Sequence, residues 1–103
     1  MITPPQGSFG RNIDPPSEYQ ELCPDTRAEV LLWIWRNLKP TKAKVYPGTS
    51  YGLKHAFEDD AGTYISNGAF KGAMLEAGYL PVDRRERNWR FRCAWTRGKA
   101  RAV

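Results

Sequence analysis

The chain has 103 residues, the length of one small domain, and its hydrophobic content of 41% is sufficient for one packed core. This composition argues against disorder over the whole chain. The net charge of +5 is unevenly distributed, because residues 84–103 hold eight arginines and lysines against one acidic residue, Glu86. Residues 1–83 carry eight basic and ten acidic side chains. A basic cluster at one end of a chain is typical of proteins that bind a polyanion.

The cysteine and histidine content argues against the common metal and catalytic sites. Cys23 and Cys93 lie far apart, so we expect free thiols, no metal and no cofactor. The single histidine, His55, has no Ser, Cys or Asp at the spacing of a catalytic pair, so we expect no enzyme. The first residues do not resemble a signal peptide, and the longest apolar run, residues 30–35, is too short to cross a bilayer. These features predict a soluble, cytoplasmic protein.

Prolines separate an N-terminal arm from the domain. Residues 1–24 contain five prolines. Because proline removes an amide donor and restricts the residue before it, we expect an extended arm rather than a helix or a central strand. The domain then spans residues 25–96, and residues 97–103 form a basic tail. The arm is either disordered or lies over the core through its large apolar residues, Phe9, Ile13, Tyr19 and Leu22.

A first helix is predicted directly after the arm. Asp25 or Thr26 caps it, and Thr26 with Glu29 matches the capping box, in which each side chain satisfies a free backbone amide. Pro40 ends the helix, and residues 42–47 then predict a short strand because lysine alternates with apolar residues. The apolar face of the helix, at the i, i+3, i+4 and i+7 spacing, consists of Leu31, Ile34, Trp35 and Leu38. Val30 and Trp33 widen this apolar surface, so we expect the helix to be central to the core.

Two more helices follow. The second begins at Thr49 or Ser50 and ends at Gly62, with Leu53, Ala56 and Phe57 on one face. The third begins at Ser66 and ends at Gly78. The apolar face of the third helix consists of Phe70, Ala73, Met74 and Ala77. Its small residues, which allow a neighbouring element to approach closely, are Gly68, Ala69, Gly72 and Ala73.

The last part of the chain has the period of a strand. Residues 89–95 alternate large apolar residues with arginines or alanine, which predicts one apolar and one largely cationic face. Residues 80–83 are expected to pair with this strand, with the hairpin tip at residues 84–88. The order helix, strand, helix, helix, strand, loop, strand predicts an α+β fold of the winged helix-turn-helix type, with three helices, a small antiparallel sheet and a C-terminal hairpin.

Two parts of this arrangement are candidates for nucleic-acid contact. The third helix of such a fold enters the major groove, where Asn suits an adenine edge and Lys suits guanine or a phosphate. Its exposed polar candidates are Ser66, Asn67 and Lys71, although Ser-Asn-Gly is also an ordinary helix start. On the hairpin, arginines neutralise phosphates and release counterions; a solvated strand face is the alternative. These arginines are Arg84, Arg85, Arg87, Arg90 and Arg92.

An acidic cluster counts against a simple DNA-binding protein. Glu58, Asp59 and Asp60 lie at the end of the second helix, where carboxylates would repel phosphates. Adjacent positions on a helix point in different directions, which makes these residues poor metal ligands. We interpret the cluster as a solvated helix end, with contact to a protein partner as the alternative.

The segment from Thr49 to Tyr79 carries a resemblance to a known class. It reads TSYGLKHAFEDDAGTYISNGAFKGAMLEAGY and resembles a segment of small winged-helix or helix-turn-helix proteins of phages and prophages, and of winged-helix modules attached to phage replication proteins. The shared features are the SYGLKH opening, the SNG helix start and the AGY ending. The resemblance implies a DNA-associated role in the host cytoplasm and no defined reaction. The arm and the tail lie outside it.

Two hypotheses follow. In the first, the chain is a non-enzymatic protein, monomeric or homodimeric, that binds duplex DNA through the third helix and the arginine hairpin. It would regulate transcription or assist replication or excision. In the second, it is an inhibitor that binds a host defence complex, as anti-CRISPR proteins do, and uses the winged-helix scaffold for display. The arginine hairpin favours the first hypothesis, whereas the acidic cluster and the high aromatic content favour the second.

Overall fold

The computed structural model describes residues 14–96, so the predicted basic tail and two of the arm residues, Phe9 and Ile13, lie outside the described residues. Within residues 14–96 there are four helices and one antiparallel sheet of two strands, which is compatible with the α+β class. The elements are a 3-10 helix (Pro16–Glu21), α1 (Pro24–Asn37), β1 (Leu38–Pro40), α2 (Ser50–Ala61), α3 (Asn67–Glu76) and β2 (Cys93–Trp95).

Helix α1 begins earlier than predicted and without a capping box. Its first residue is Pro24, and no side chain caps the helix. The Thr26 hydroxyl lies 3.2 Å from Sγ of Cys23, and Glu29 accepts a hydrogen bond from Thr63 at 3.5 Å. The capping-box prediction is wrong because a proline at the first helical position leaves one fewer amide to satisfy.

The buried face of α1 differs from the predicted one. Val30, Trp33 and Ile34 are buried, whereas Trp35 is 76% exposed. The Trp33 ring meets the ring of Phe57 at 5.9 Å between centroids, in an edge-to-face arrangement. The expected apolar surface is therefore buried through Val30, Trp33 and Ile34, and the prediction that Trp35 lies on the buried face is wrong.

The predicted strand at residues 42–47 is not formed. Instead, β1 follows α1 directly and pairs antiparallel with β2, with Leu38 opposite Trp95. After β1 the Thr41 hydroxyl donates to the carbonyl of Lys44 at 2.7 Å, which folds this segment into a turn. The chain returns to the sheet only at Tyr46, whose amide donates to the carbonyl of Phe91 at 2.9 Å.

The limits of α2 and α3 confirm the local signals in the sequence. Helix α2 ends at Gly62, which has a φ of +71°. The Ser66 hydroxyl caps α3 by accepting from the amide of Ala69 at 3.0 Å. After α3 the chain turns at Gly78, with a φ of +100°. Positive φ values are the reason that glycine stands at both stops.

Helix α3 is the centre of the molecule. Residues 67–74 are all buried, and the 3-10 helix of the arm packs on them. A Cβ atom at Gly68 would overlap the carbonyl oxygen of Pro15, and one at Gly72 would overlap that of Pro16. The predicted close approach at these glycines is confirmed, and the approaching element is the arm, with Tyr19 buried beneath it.

Candidate nucleic-acid interface

The C-terminal hairpin forms in a shorter version than predicted. Pro81 forms a single antiparallel bridge with Phe91, and the amide of Val82 donates to the carbonyl of Arg90 at 2.9 Å. The indole N–H of Trp89 donates to the carbonyl of Arg84 at 3.2 Å and closes the tip. The arginine-rich tip is thus anchored to the domain.

The strand that ends the hairpin has the predicted two faces. Trp89, Phe91 and Cys93 are buried. Arg92 is exposed and Arg90 is half-buried on the opposite face. The apolar side chains hold the strand on the core, and the guanidinium groups face outward as a consequence.

Three of the predicted arginines already pair with carboxylates. Arg84 instead lies over the ring of Trp89, with Cζ 5.5 Å from the centroid. Exposed ion pairs contribute only about 0–1 kcal/mol, so a phosphate can replace the carboxylate at little cost. The pairs are Arg85 with Asp83 (3.1 Å), Arg87 with Asp14 (2.9 Å) and Arg90 with Glu86 (3.2 Å).

Within residues 14–96, six exposed cations have no ion-pair partner, and two of them are Arg36 on α1 and Arg84 at the hairpin tip. The other four lie on the two-stranded sheet, beside it and on the loop after β1, and we call these four the unpaired cations: Lys39, Lys42, Lys44 and Arg92. Lys39 is opposite Ala94 and therefore shares a face with Arg92, since residues two apart in a strand point the same way. The loop that carries Lys42 and Lys44 is held beside them, because the amide of Thr41 donates to the carbonyl of Arg92 at 3.1 Å. Lys42 and Lys44 were not among the predicted candidates because their spacing was interpreted as strand alternation, and Lys39 was not among them either.

The prediction that Asn67 and Lys71 are exposed is wrong. Asn67 is 6% exposed and Lys71 is 1% exposed. The Lys71 ammonium donates to the carbonyl of Asp14 at 3.1 Å and lies over the ring of Trp89 at 4.9 Å. Burial lowers the pKa of Lys71. Asn67 accepts a hydrogen bond from the Ser50 hydroxyl at 2.9 Å, so both side chains join parts of the core.

The arm also covers Ser66. The hydroxyl of Ser66 donates to the carboxylate of Glu18 at 2.6 Å while it caps α3. Asn67 donates to the Asp14 carboxylate at 3.3 Å. Two acidic side chains of the arm therefore stand over the start of α3. In this structure the helix has no free polar face with which to enter a groove.

The acidic cluster is structural. Glu58 accepts from the Lys54 ammonium at 2.8 Å and from the amide of Ile65 at 3.1 Å. Burial raises the pKa of Glu58, but these hydrogen bonds outweigh it and hold the pKa below its ordinary value. Asp60 accepts from the indole N–H of Trp33 at 2.7 Å. The interpretation as a solvated helix end is therefore wrong for Glu58, whereas Asp59 and Asp60 are exposed as expected.

Both cysteines are free, in different surroundings. Cys23 is exposed, and a hydrogen bond with Thr26 lowers its pKa. Burial raises the pKa of Cys93 to about 11.

Comparison with known proteins gives no assignment: no family model, curated protein or solved structure matches the chain. In the part of the chain that the structure describes, no group of three or more His, Cys, Asp or Glu side chains is placed to bind a metal ion. None of the helices described has both the length and the apolar character needed to span a membrane.

Proposed function

We propose that this chain is a non-enzymatic nucleic-acid-binding protein that contacts the phosphate backbone through the unpaired cations and the hairpin arginines. The observation that carries the proposal is that four exposed cations without an ion-pair partner lie together at the two-stranded sheet and on the loop that follows β1. A phosphate that meets them displaces only solvent and counterions, and the release of counterions favours binding. The hairpin arginines then add contacts by exchanging weak surface ion pairs for phosphates.

The order of the elements supports a winged-helix variant. Three α-helices are followed by a hairpin whose last strand lies between β1 on one side and Pro81 on the other. This is the arrangement expected of a helix-turn-helix domain with a wing. The resemblance of residues 49–79 to small proteins of phages and prophages supports a DNA-associated role.

The proposal differs from the predicted binding mode in one respect. Asn67 and Lys71 are buried, so we assign no base reading to α3. Phosphate contacts fix position and carry no sequence information. We therefore expect affinity that depends weakly on sequence and strongly on salt.

The test is fluorescence anisotropy with a labelled duplex over a salt series. Arg92→Glu is compared with Arg36→Glu, which makes the same charge change on α1, in a different cleft that Glu29 and Asp60 also line. Loss of phosphate contacts at Arg92 is expected to reduce the salt slope by about 1 or more. Arg36→Glu should leave the slope close to that of the wild type. Equal effects of the two variants would show that only net charge matters and would refute the assigned surface.

A protein-binding inhibitor is the second candidate function. Trp35 is 76% exposed at the rim of an apolar groove of about 650 Å³ between α1 and the segment after α3. Exposed tryptophans at such grooves are frequent centres of protein interfaces. An inhibitor that acts through this groove would lose activity against a host nuclease complex with Trp35→Ala and keep it with Arg92→Glu. If the chain binds nucleic acid as proposed, Arg92→Glu should lose nucleic-acid affinity and Trp35→Ala should keep it.

A further inference from the structure

A second cleft lies between α2, the start of α3 and the hairpin tip. Its volume is about 550 Å³, within the range of small-ligand sites. Its walls include Tyr51, Lys54, His55, Tyr64, Arg87 and Asn88. Three of the sequence-based candidates, Ser66, Asn67 and Arg87, also line this cleft.

Two tyrosines of this cleft expose their rings while the protein holds them in place. Tyr51 is 50% exposed and Tyr64 is 75% exposed. The ammonium of Lys54 lies 4.7 Å from the ring centre of Tyr64 and 5.4 Å from that of Tyr51. Lys54 is itself buried and fixed by Glu58. The ring of His55 meets that of Tyr51 edge-on at 4.5 Å. Rings supported on one side and open on the other provide surface for stacking at a low entropic cost.

The charges in the cleft favour an uncharged planar ligand. Lys54 is neutralised by Glu58 at 2.8 Å, and Arg87 by Asp14 at 2.9 Å. An anion placed between the tyrosines would therefore meet no net positive charge. At the edge of the cleft the Arg87 side chain remains 61% exposed, so a phosphate next to the planar group can replace Asp14 there.

We propose that this cleft binds an unstacked base of single-stranded nucleic acid, which stacks on Tyr64 and Tyr51 while Arg87 binds the adjoining phosphate. The inference rests on the proposed nucleic-acid-binding function and adds to it a site that is specific for single strands. Bases in a duplex are stacked on one another and offer no free faces, whereas those of a single strand do. Stacking on aromatic side chains tolerates any base, which agrees with a cleft that lacks net charge.

The test compares a labelled oligothymidylate with a duplex of the same length, using the full chain. Removing one stacking ring is expected to cost about tenfold or more in single-strand affinity, because stacking is worth about 1–3 kcal/mol per base. Tyr64→Ala should show this loss, whereas the control Tyr64→Phe keeps the ring and should stay near the wild type. Duplex affinity should be the same for all three proteins. A single strand that carries 5-iodouracil should photocrosslink to Tyr64 or Tyr51.

The outcomes separate this inference from the function on which it rests. If Tyr64→Ala binds the single strand like the wild type while Arg92→Glu weakens it, the cleft assignment is wrong and the proposed function stands. If Tyr64→Phe loses as much affinity as Tyr64→Ala, stacking is not the cause and the assignment is again wrong. If the wild type binds neither the single strand nor the duplex at low salt, both proposals fail, and a protein partner for the exposed tyrosines becomes the alternative.

Discussion

The contact between the arm and α3 leaves no space for a side chain at Gly72. In Gly72→Ala the new Cβ would overlap the carbonyl oxygen of Pro16 and Cβ of Tyr19. Because part of this overlap is with backbone, the arm must move and expose Tyr19, which is only 5% exposed in the wild type. Burial of a large apolar side chain contributes on the order of 1.5–3 kcal/mol. The higher helix propensity of alanine offsets about 1 kcal/mol of this loss in the free energy of unfolding. The free energy of unfolding should therefore fall by about 0.5–2 kcal/mol.

Urea denaturation followed by tryptophan fluorescence measures this change, and Gly52→Ala is the matched control. Gly52 is an exposed residue of α2, and a Cβ there would meet nothing within 4 Å. The control should be more stable than the wild type by about 0.5–1 kcal/mol. If both variants are stabilised alike, the arm does not pack on α3 as described.

Three other predictions concern buried and titratable groups. Ser50→Ala removes the hydroxyl that accepts a hydrogen bond from the buried amide of Trp89 at 3.1 Å. This should lower the free energy of unfolding by about 1–3 kcal/mol. A loss below about 0.5 kcal/mol would contradict the contact. The pKa of Glu58 in the folded protein lies below the ordinary value of 4.5. Ionised Glu58 therefore stabilises the folded state at pH values above 4.5, and this stabilisation is lost as the pH falls through the folded-state pKa. Glu58→Gln should therefore flatten the acid limb of the stability profile, and an unchanged limb would argue against the Glu58 contacts. In the native protein at pH 8, a thiol reagent should modify Cys23 and reach Cys93 only on unfolding, because burial raises the pKa of Cys93 to about 11; rapid reaction of both thiols would contradict this burial.

The limits of α2 and α3 were predictable because their causes are local. A capping serine such as Ser66 acts within the first turn of its helix, and a left-handed glycine such as Gly62 acts within the last turn. The burial of Trp33 rather than Trp35 was not predictable from spacing, since both sides of α1 carry apolar residues. Which tryptophan enters the core depends on the space left between α2 and α3, and that space is set by contacts distant in sequence.

In the candidate site, too, some features were predictable from local sequence and others were not. The two faces of the strand at residues 89–95 follow from a period of two and were predicted. The burial of Lys71 depends on Asp14, which lies 57 positions earlier in the chain. Gly68 and Gly72 indicated that some element approaches α3, but local sequence does not say which. That Tyr51 and Tyr64 share one cleft was not predictable for the same reason, because its residues come together only when α2, α3 and the hairpin pack.

The central claim is that exposed cations of this chain bind the phosphate backbone. The most direct measurement is the affinity of the wild-type protein for nucleic acid as a function of salt concentration. If all four unpaired cations contact phosphates, the logarithm of the affinity should fall linearly with the logarithm of the salt concentration, with a slope of about −3 or steeper. Absence of binding at the lowest salt concentration, or an affinity that does not change with salt, would contradict the claim.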